Sequence, residues 1–359
     1  MTAPLLQRLT HTLVKPSVFD FWAGRLNPVW SWHRTLARVA ERYPESADAV
    51  TLVLAPNRHF VGFEPGQHIN ITADVNGRRV TRSYSLTGIP RPDGKISITV
   101  KEVAGGTLSP HLCRKTQVGD VLELGTAFGE MLLPPAKQAQ KHLFLAAGSG
   151  ITPLVALIRS QAAAGMPGDL TLVYWASKRE EFCFVRELRE LAEKYSSFRV
   201  QFVLTQQSEC LPDEKTGRIS SELLMRCVPD LASRHVACCG TDGFVQTTAK
   251  LVTDTARSFQ AESFSPPTFG SDATGTVQVR LAVSGRTFEV PVGESLLSAL
   301  EAQGEQPEYG CRMGICNTCA CGKATGTTQD MINGDISTEP VQALRLCISR
   351  ATTDITLEL

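Results

Sequence analysis

The chain has 359 residues, with 36 basic side chains balanced by 36 acidic ones and 42% hydrophobic residues. That length accommodates two or three domains, the composition is that of an ordinary globular protein, and a formal net charge of zero gives no overall signal for nucleic acid. The charge is uneven, however: residues 276–359 carry 6 Lys+Arg against 10 Asp+Glu, a net of −4 that leaves +4 on the rest, so docking between modules or with a partner through opposite charges is expected.

The chain holds 11 cysteines. It opens without a continuous apolar signal region, so a reducing cytoplasm is expected rather than a disulfide framework. No apolar run reaches the roughly 20 residues a membrane-spanning helix needs. The nearest, residues 142–158, is broken by Gly148, Ser149, Gly150, Thr152 and Pro153.

Residues 1–44 read as an aromatic, basic, helical extension. Leu5, Leu6, Leu9 and Leu13 recur at helical spacing, and Pro16 is expected to stop that helix. Phe19, Phe21, Trp22, Trp30 and Trp32 follow, and Arg8, Lys15, Arg25, Arg34, Arg38 and Arg42 outnumber Asp20, Glu41 and Glu45. The expectation is helices packed on the body of the protein, with contact to a membrane surface or a partner as the alternative.

Residues 45–137 read as a β-rich module. Short alternating runs, at 50–54, 68–75, 80–86, 96–102 and 121–124, are separated by turn signals at Glu64-Pro-Gly66, Asn76-Gly77 and Pro92-Asp-Gly94. That pattern predicts a small barrel. Within it, Arg82-Ser-Tyr-Ser85 has the form R-x-Y-S. On a strand, Arg82 and Tyr84 share one face. Arg82 offers a planar fork for a diphosphate, Tyr84 a flat face for an isoalloxazine ring, and Ser85 a hydroxyl for a ring nitrogen. Gly105-Gly-Thr-Leu-Ser109 before a short helical pattern suggests an anion site. With the Phe63-Glu-Pro-Gly-Gln67 turn, these motifs resemble the flavin-binding barrel of the ferredoxin–NADP reductase superfamily. The resemblance implies FAD, with FMN as the alternative. It implies that the arginine, tyrosine and serine hold the diphosphate, the ring face and the reactive edge. The implied flavin contacts are Arg82, Tyr84, Ser85, Val100, Lys101, Gly106, Thr107, Leu108 and Ser109.

Residues 138–265 alternate strand and helix. A strand at 142–147, a turn Gly148-Ser-Gly-Ile-Thr-Pro153 and a helix from Leu154 form the layout that places a pyrophosphate at a helix N-terminus. The turn is similar to the superfamily's pyridine-nucleotide loop. Strands at 170–175 and 199–205 and a helix at 182–195 continue the alternation. After the second strand come Ser177, Lys178 and Arg179, a hydroxyl and two cations suited to a 2′-phosphate. NADPH is therefore expected, with NADH as the alternative. Arg218 in Gly217-Arg-Ile219, and Cys239-Gly240 after the strand from His235, resemble further family positions beside the nucleotide. Gly148, Gly150, Thr152, Pro153, Ser177, Lys178, Arg179, Arg218, Cys239 and Gly240 are the candidate NAD(P) contacts. A small buried core residue is the alternative for Cys239.

A stretch at 266–275 has the composition of a linker. Beyond it, 276–359 reads as a hairpin (277–283 and 286–290, turning at Ser284-Gly285), a helix (295–303), a cysteine loop, and closing strands at 345–348 and 355–357. Cys311, Cys316 and Cys319 form C-x4-C-x2-C, with Cys347 downstream, the plant-type spacing for a [2Fe–2S] cluster. Gly310 and Gly314 allow the loop to curl around inorganic sulfides. Cys321 reads as packing, and zinc is the competing metal for such a cluster. The module resembles a complete plant-type ferredoxin, a β-grasp domain.

The predicted fold is therefore multidomain: an antiparallel β-barrel flavin domain, an α/β nucleotide-binding domain and an α+β β-grasp ferredoxin domain. This order is similar to the three-domain reductase components of aromatic-ring and phenylacetyl-CoA oxygenases and of acyl-CoA desaturase systems. The resemblance implies an electron-transfer oxidoreductase that carries electrons from NAD(P)H through FAD and a [2Fe–2S] cluster to an oxygenase or fatty acyl desaturase. No catalytic base is required, and none is named. A monomer in the cytoplasm is expected, peripheral to the membrane if residues 1–44 contact it. The alternatives are an NADH-dependent reductase of a soluble ring hydroxylase and, in another class, a non-enzymatic iron–sulfur or zinc module.

Overall fold

The structure is a computed structural model that describes residues 15–133, 140–264 and 275–359. The Leu5–Leu13 pattern and nearly all of the expected linker lie outside the described residues. Two compact units emerge: residues up to 138 with 152–167 and 177–196, and the remaining 139–151, 168–176 and 197–359.

Helix α1 (Pro16–Leu26) has Pro16 at its first turn. Proline has no N–H to lose there, and its fixed φ suits a helix start, so Pro16 opens a helix. Strands β1 (Leu36–Ser46), β2 (Ala49–Pro56), β3 (His68–Val75), β4 (Arg78–Ser85), β5 (Ile96–Lys101) and β6 (Val121–Phe128), with helix α2 (Leu108–Arg114), follow. The barrel thus begins at Leu36, and the reading of 36–44 as part of a helical extension is corrected. Ala37 and Val39 are buried while Arg38 and Arg42 alternate with them. The cations masked a period-2 strand pattern.

The sheet runs β4-β3-β6-β1-β2-β5 with antiparallel neighbours. Its edges meet just past β4: Leu86 bridges Ile98, and the Thr87 N–H donates to the Ser97 carbonyl at 2.9 Å. Closure pairs groups that an open edge would expose. Leu52, Leu54, Ile69, Ile71, Ile98 and Leu112 fill the interior.

Strand β7 (Lys141–Ala147), a 3-10 turn at Gly148–Gly150, helix α3 (Ile151–Ala163) and strand β8 (Asp169–Ala176) come next. Helix α4 (Val185–Lys194), strands β9 (Phe198–Leu204) and β10 (Glu214–Thr216), helix α5 (Ser221–Cys227), strand β11 (His235–Gly240), helix α6 (Asp242–Val252) and strand β12 (Ser258–Ser263) complete the region. All neighbours in the sheet β10-β9-β8-β7-β11-β12 are parallel. The chain steps outward from β7 through β10, then returns to the other side of β7 with β11. The order reverses between β7 and β11, and ligands of open α/β sheets bind beyond the carboxyl ends of strands at such a point. Beneath the opposite end, Arg234 is buried and donates to Asp230 (2.7 Å), Asp169 (3.0 Å) and the His142 carbonyl (3.0 Å).

In the C-terminal region lie β13 (Thr276–Leu281), β14 (Thr287–Pro291), α7 (Leu296–Ala302), β15 (Ala320–Thr325), β16 (Thr328–Asp330), β17 (Ile336–Ser337), β18 (Val341–Arg345), β19 (Ser349–Ala351) and β20 (Ile355–Leu357). The five-stranded mixed sheet β14-β13-β20-β15-β18 carries its own core, including Val279, Leu297, Leu300, Leu346 and Leu357, and β17-β16-β19 form a small second sheet. The strand expected at 345–348 ends at Arg345, so Cys347 is presented by the turn before β19, where backbone N–H groups are not committed to a ladder.

Candidate functional site

The cysteine loop is the most fully built part of the site. Cys311, Cys316, Cys319 and Cys347 stand as two thiol pairs, Cys311 with Cys316 and Cys319 with Cys347. Two thiolates per iron is what a two-iron centre needs. Among the described residues, no point gathers three or more His, Cys, Asp or Glu side chains in mononuclear-ion geometry. The pairs therefore fit a [2Fe–2S] group better than one tetrahedral zinc ion.

The loop aims donors at sulfur. The Cys311, Met313, Gly314 and Cys316 N–H groups donate to Cys316, Cys311, Cys347 and Cys311 Sγ at 3.2, 3.3, 3.2 and 3.4 Å. Thr318 Oγ1 donates to Cys316 Sγ at 3.1 Å. Arg312, Gly314 and Asn317 have positive φ, which turns successive amides inward. Gly314 has a φ of +76°, which side-chain-bearing residues rarely adopt, and a Cβ there would lie 2.5 Å from Ile348 Cδ1, which would have to shift. The Cys311 thiol donates to Cys316 and lowers its proton affinity; Cys347 does the same for Cys319. Cys316 and Cys319 are thus disposed to act as thiolates, while Cys311 and Cys347, the donors of the two pairs, hold their protons more tightly. Cys321 lies in the apolar core, its thiol pushed up to about 12 by burial, as packing requires.

Two neighbours escaped the sequence reading. Arg312 stacks 3.8 Å from the Tyr309 ring centroid and reaches Glu301 at 2.5 Å. Arg345 donates to the Gly314 carbonyl at 2.8 Å and pairs with Asp330 at 3.2 Å. Their signal is only a long cation near a cysteine motif, and many surface cations share it.

In the nucleotide region, Gly148 has a φ of +54°. A Cβ on Gly150 would stand 2.0 Å from the Cys239 carbonyl oxygen, and one on Gly240 3.0 Å from Ala147 Cβ. The turn after β7 thus meets the end of β11 backbone to backbone at the switch point, the close packing a bound pyrophosphate requires. Cys239 is fully buried and burial raises its thiol well above the ordinary value, so what it offers the turn is backbone. Thr152 and Pro153 lie in the first turn of α3. Ser177 is half-buried, Lys178 exposed, and Arg179 starts a 3-10 turn beyond β8; exposed Arg218 follows β10.

On the barrel, β4 carries Arg82, Tyr84 and Ser85. Arg82 is half-buried and donates to the Thr81 carbonyl at 2.7 Å. Tyr84 packs against the barrel core, and burial raises its hydroxyl despite the opposing Arg82 charge. Ser85 is buried, and its Oγ lies 3.1 Å from His68 Nδ1 and 3.0 Å from Thr152 Oγ1, which donates to it. The R-x-Y-S serine and the nucleotide-loop threonine therefore share one buried hydrogen-bonded set with His68. His68 was missed because it reads as one polar residue in a strand.

Other nominated flavin residues are placed differently. Val100 and Leu108 are core side chains with only backbone to offer. Lys101 pairs with Glu181 (2.9 Å) and Asp48 (3.0 Å). Thr107 sits at the α2 cap without a side-chain cap bond, Ser109 accepts from the Val103 N–H at 3.1 Å, and a Cβ on Gly106 would lie 2.9 Å from the Val103 carbonyl.

Comparison with known proteins agrees with this order. Residues 37–132 match the oxidoreductase FAD-binding domain, 144–250 the oxidoreductase NAD-binding domain, and 279–352 the 2Fe-2S iron-sulfur cluster binding domain. The chain is 30% identical over 362 residues to a Mycobacterium tuberculosis protein named NADPH oxidoreductase, covering 99% of this chain and 92% of that protein. It is 29% identical over 303 residues to one component of the 1,2-phenylacetyl-CoA epoxidase of Escherichia coli, covering 79% of this chain and 85% of that protein. In fold it is similar to phthalate dioxygenase reductase, with a TM-score of 0.58 at 23% identity over 90% of this chain and 97% of that one.

Proposed function

Because the chain belongs to the family of NAD(P)H-dependent flavin and iron–sulfur reductases whose FAD-binding, NAD-binding and 2Fe-2S domains follow in this order, we propose that it is the reductase component of an oxygenase or fatty acyl desaturase system. The observation that carries this reading is the pair of thiol pairs at 311–347, on the chain that bears the R-x-Y-S strand and the nucleotide turn. Relatives named as reductase subunits of glycine betaine monooxygenase and as the ferredoxin reductase component of 3-ketosteroid-9-alpha-monooxygenase support an oxygenase acceptor.

A bound flavin supplies the step between a two-electron donor and a one-electron carrier. The chain's own residues do the binding and orienting. Arg82 and the Gly106–Ser109 backbone hold a flavin diphosphate, Tyr84 covers the ring, and Ser85 presents its hydroxyl to the reactive edge. Gly148 and Gly150 let backbone approach the nucleotide pyrophosphate, and Cys239-Gly240 lies toward the nicotinamide. Ser177, Lys178 and Arg179 take a 2′-phosphate, so NADPH is the preferred donor. The M. tuberculosis relative's name supports this. Cys311, Cys316, Cys319 and Cys347 ligate the cluster, and the loop amides and Thr318 stabilise charge on sulfur. The protein works as a monomer in the cytoplasm.

Purified protein tests the reading. It should show flavin and iron–sulfur absorbance, release FAD, and be reduced faster by NADPH than by NADH; a colourless protein sinks the proposal. Turnover with a soluble ring hydroxylase but none with desaturase membranes removes the desaturase half.

A further inference from the structure

The described residues expose few large apolar side chains, and five of them, Val18, Phe21, Trp22, Leu26 and Trp30, fall within one short stretch. Four lie on α1, at 48%, 54%, 62% and 80% exposure in chain order. Their spacing of three and four residues puts them on one face of the helix. The opposite face is anchored. Ala23 is buried, Phe19 packs edge-on to Trp32 at 5.1 Å, and the Asp20 carboxylate accepts from Ser31 Oγ (3.0 Å) and the Trp32 N–H (2.7 Å). The helix is thus held to the protein by one side and presents the other as a fixed apolar stripe.

Its charges have one sign. Arg25 stacks over Phe21 and Trp22, at 4.7 and 6.0 Å from the ring centroids, and Lys15 is exposed at the helix start. The helix's one acid, Asp20, is turned inward. We propose that this face of α1 docks on an anionic lipid surface, with Phe21, Trp22 and Leu26 entering the headgroup boundary and Arg25 and Lys15 meeting lipid phosphates. An aromatic and aliphatic stripe edged by cations is the composition of an interfacial helix. A second copy is the poorer occupant, because a two-fold contact would set Arg25 against Arg25 with no carboxylate on the face.

The test is co-sedimentation of the holoprotein with vesicles of phosphatidylcholine alone or mixed with phosphatidylglycerol. The wild type should pellet with the mixed vesicles, and less so as salt is raised. Phe21→Ser with Trp22→Ser should cut partitioning about tenfold or more, and Arg25→Glu should weaken it. Both variants should keep cofactor absorbance and the NADPH–ferricyanide rate, so a failure of lipid binding stays separate from a failure of the reductase reading. Wild type that stays in the supernatant, or a double variant that pellets equally, overturns the proposal. Wild type that ignores vesicles but elutes as a dimer, lost in the double variant, assigns the face to a second copy instead.

Discussion

Ser85 joins two motifs that lie 67 residues apart, through Thr152 Oγ1 at 3.0 Å, while also contacting His68 Nδ1 at 3.1 Å. A hydroxyl shared between two buried partners is costly to delete: Ser85→Ala should lower the unfolding free energy by about 1–3 kcal/mol, read by urea denaturation, and Ser85→Thr should recover most of it. At the cysteine loop, Cys347→Ser removes the one of the four proposed cluster ligands that is presented outside the main loop. The variant should lose iron–sulfur absorbance and cytochrome c reduction while NADPH-dependent ferricyanide reduction persists. Loss of both activities would show that the thiol holds more than the cluster.

At the level of elements, the turn after β7 and the end of β11 can approach only because Gly150 has no Cβ. Gly150→Ala puts a methyl 2.0 Å from the Cys239 carbonyl, so one of the two must move. NADP+ affinity should fall at least about tenfold, at a stability cost of about 1–3 kcal/mol, and isothermal titration would check it. The other end of the same sheet carries a pH dependence. The Arg234 hydrogen bonds hold Asp230 below the ordinary carboxylate range. Burial would raise Asp169, but the bonds it accepts from Arg199 and Arg234 outweigh burial and hold it low as well. Burial, with His235 and Arg234 nearby, also depresses His142. The signs agree. The unfolded chain binds more protons than the native one, first as pH falls below the ordinary histidine value of 6.5 and again below the carboxylate value of 3.8. Stability should therefore drop in two stages on acidification. Arg234→Met removes the buried partner of Asp169 and Asp230, which keep Arg199 and Lys141, and should cost about 1–3 kcal/mol at neutral pH. Its deficit relative to wild type should shrink as pH falls below 3.8. A deficit that stays constant with pH would refute that account.

For the whole molecule, the C-terminal region has a separate core and sheet. A chain ending after Phe264 should stay a yellow NADPH–ferricyanide reductase and lose cytochrome c reduction. A colourless or insoluble product would mean that the flavin and nucleotide regions depend on the last module.

Short-range motifs were legible from the chain alone. The cysteine spacing, the R-x-Y-S strand, the Gly148–Pro153 turn and the three-module order all depend on residues close in sequence, and local backbone geometry dictates which types can occupy them. Where cations interleave with apolar residues, as from Leu36 to Arg42, composition hid the strand, because period 2 shows only once a partner strand buries alternate positions. Only the tertiary structure decided that Cys347 comes from a turn, that Val100 and Leu108 are core, that Lys101 is occupied by Glu181 and Asp48, and that His68 and Thr152 meet at Ser85. These are contacts between residues far apart in the chain, set by how strands register and helices pack, and no local spacing encodes them. The same holds for α1: its apolar stripe is written in the sequence, but packing of Phe19, Asp20 and Ala23 determines which face remains in solvent.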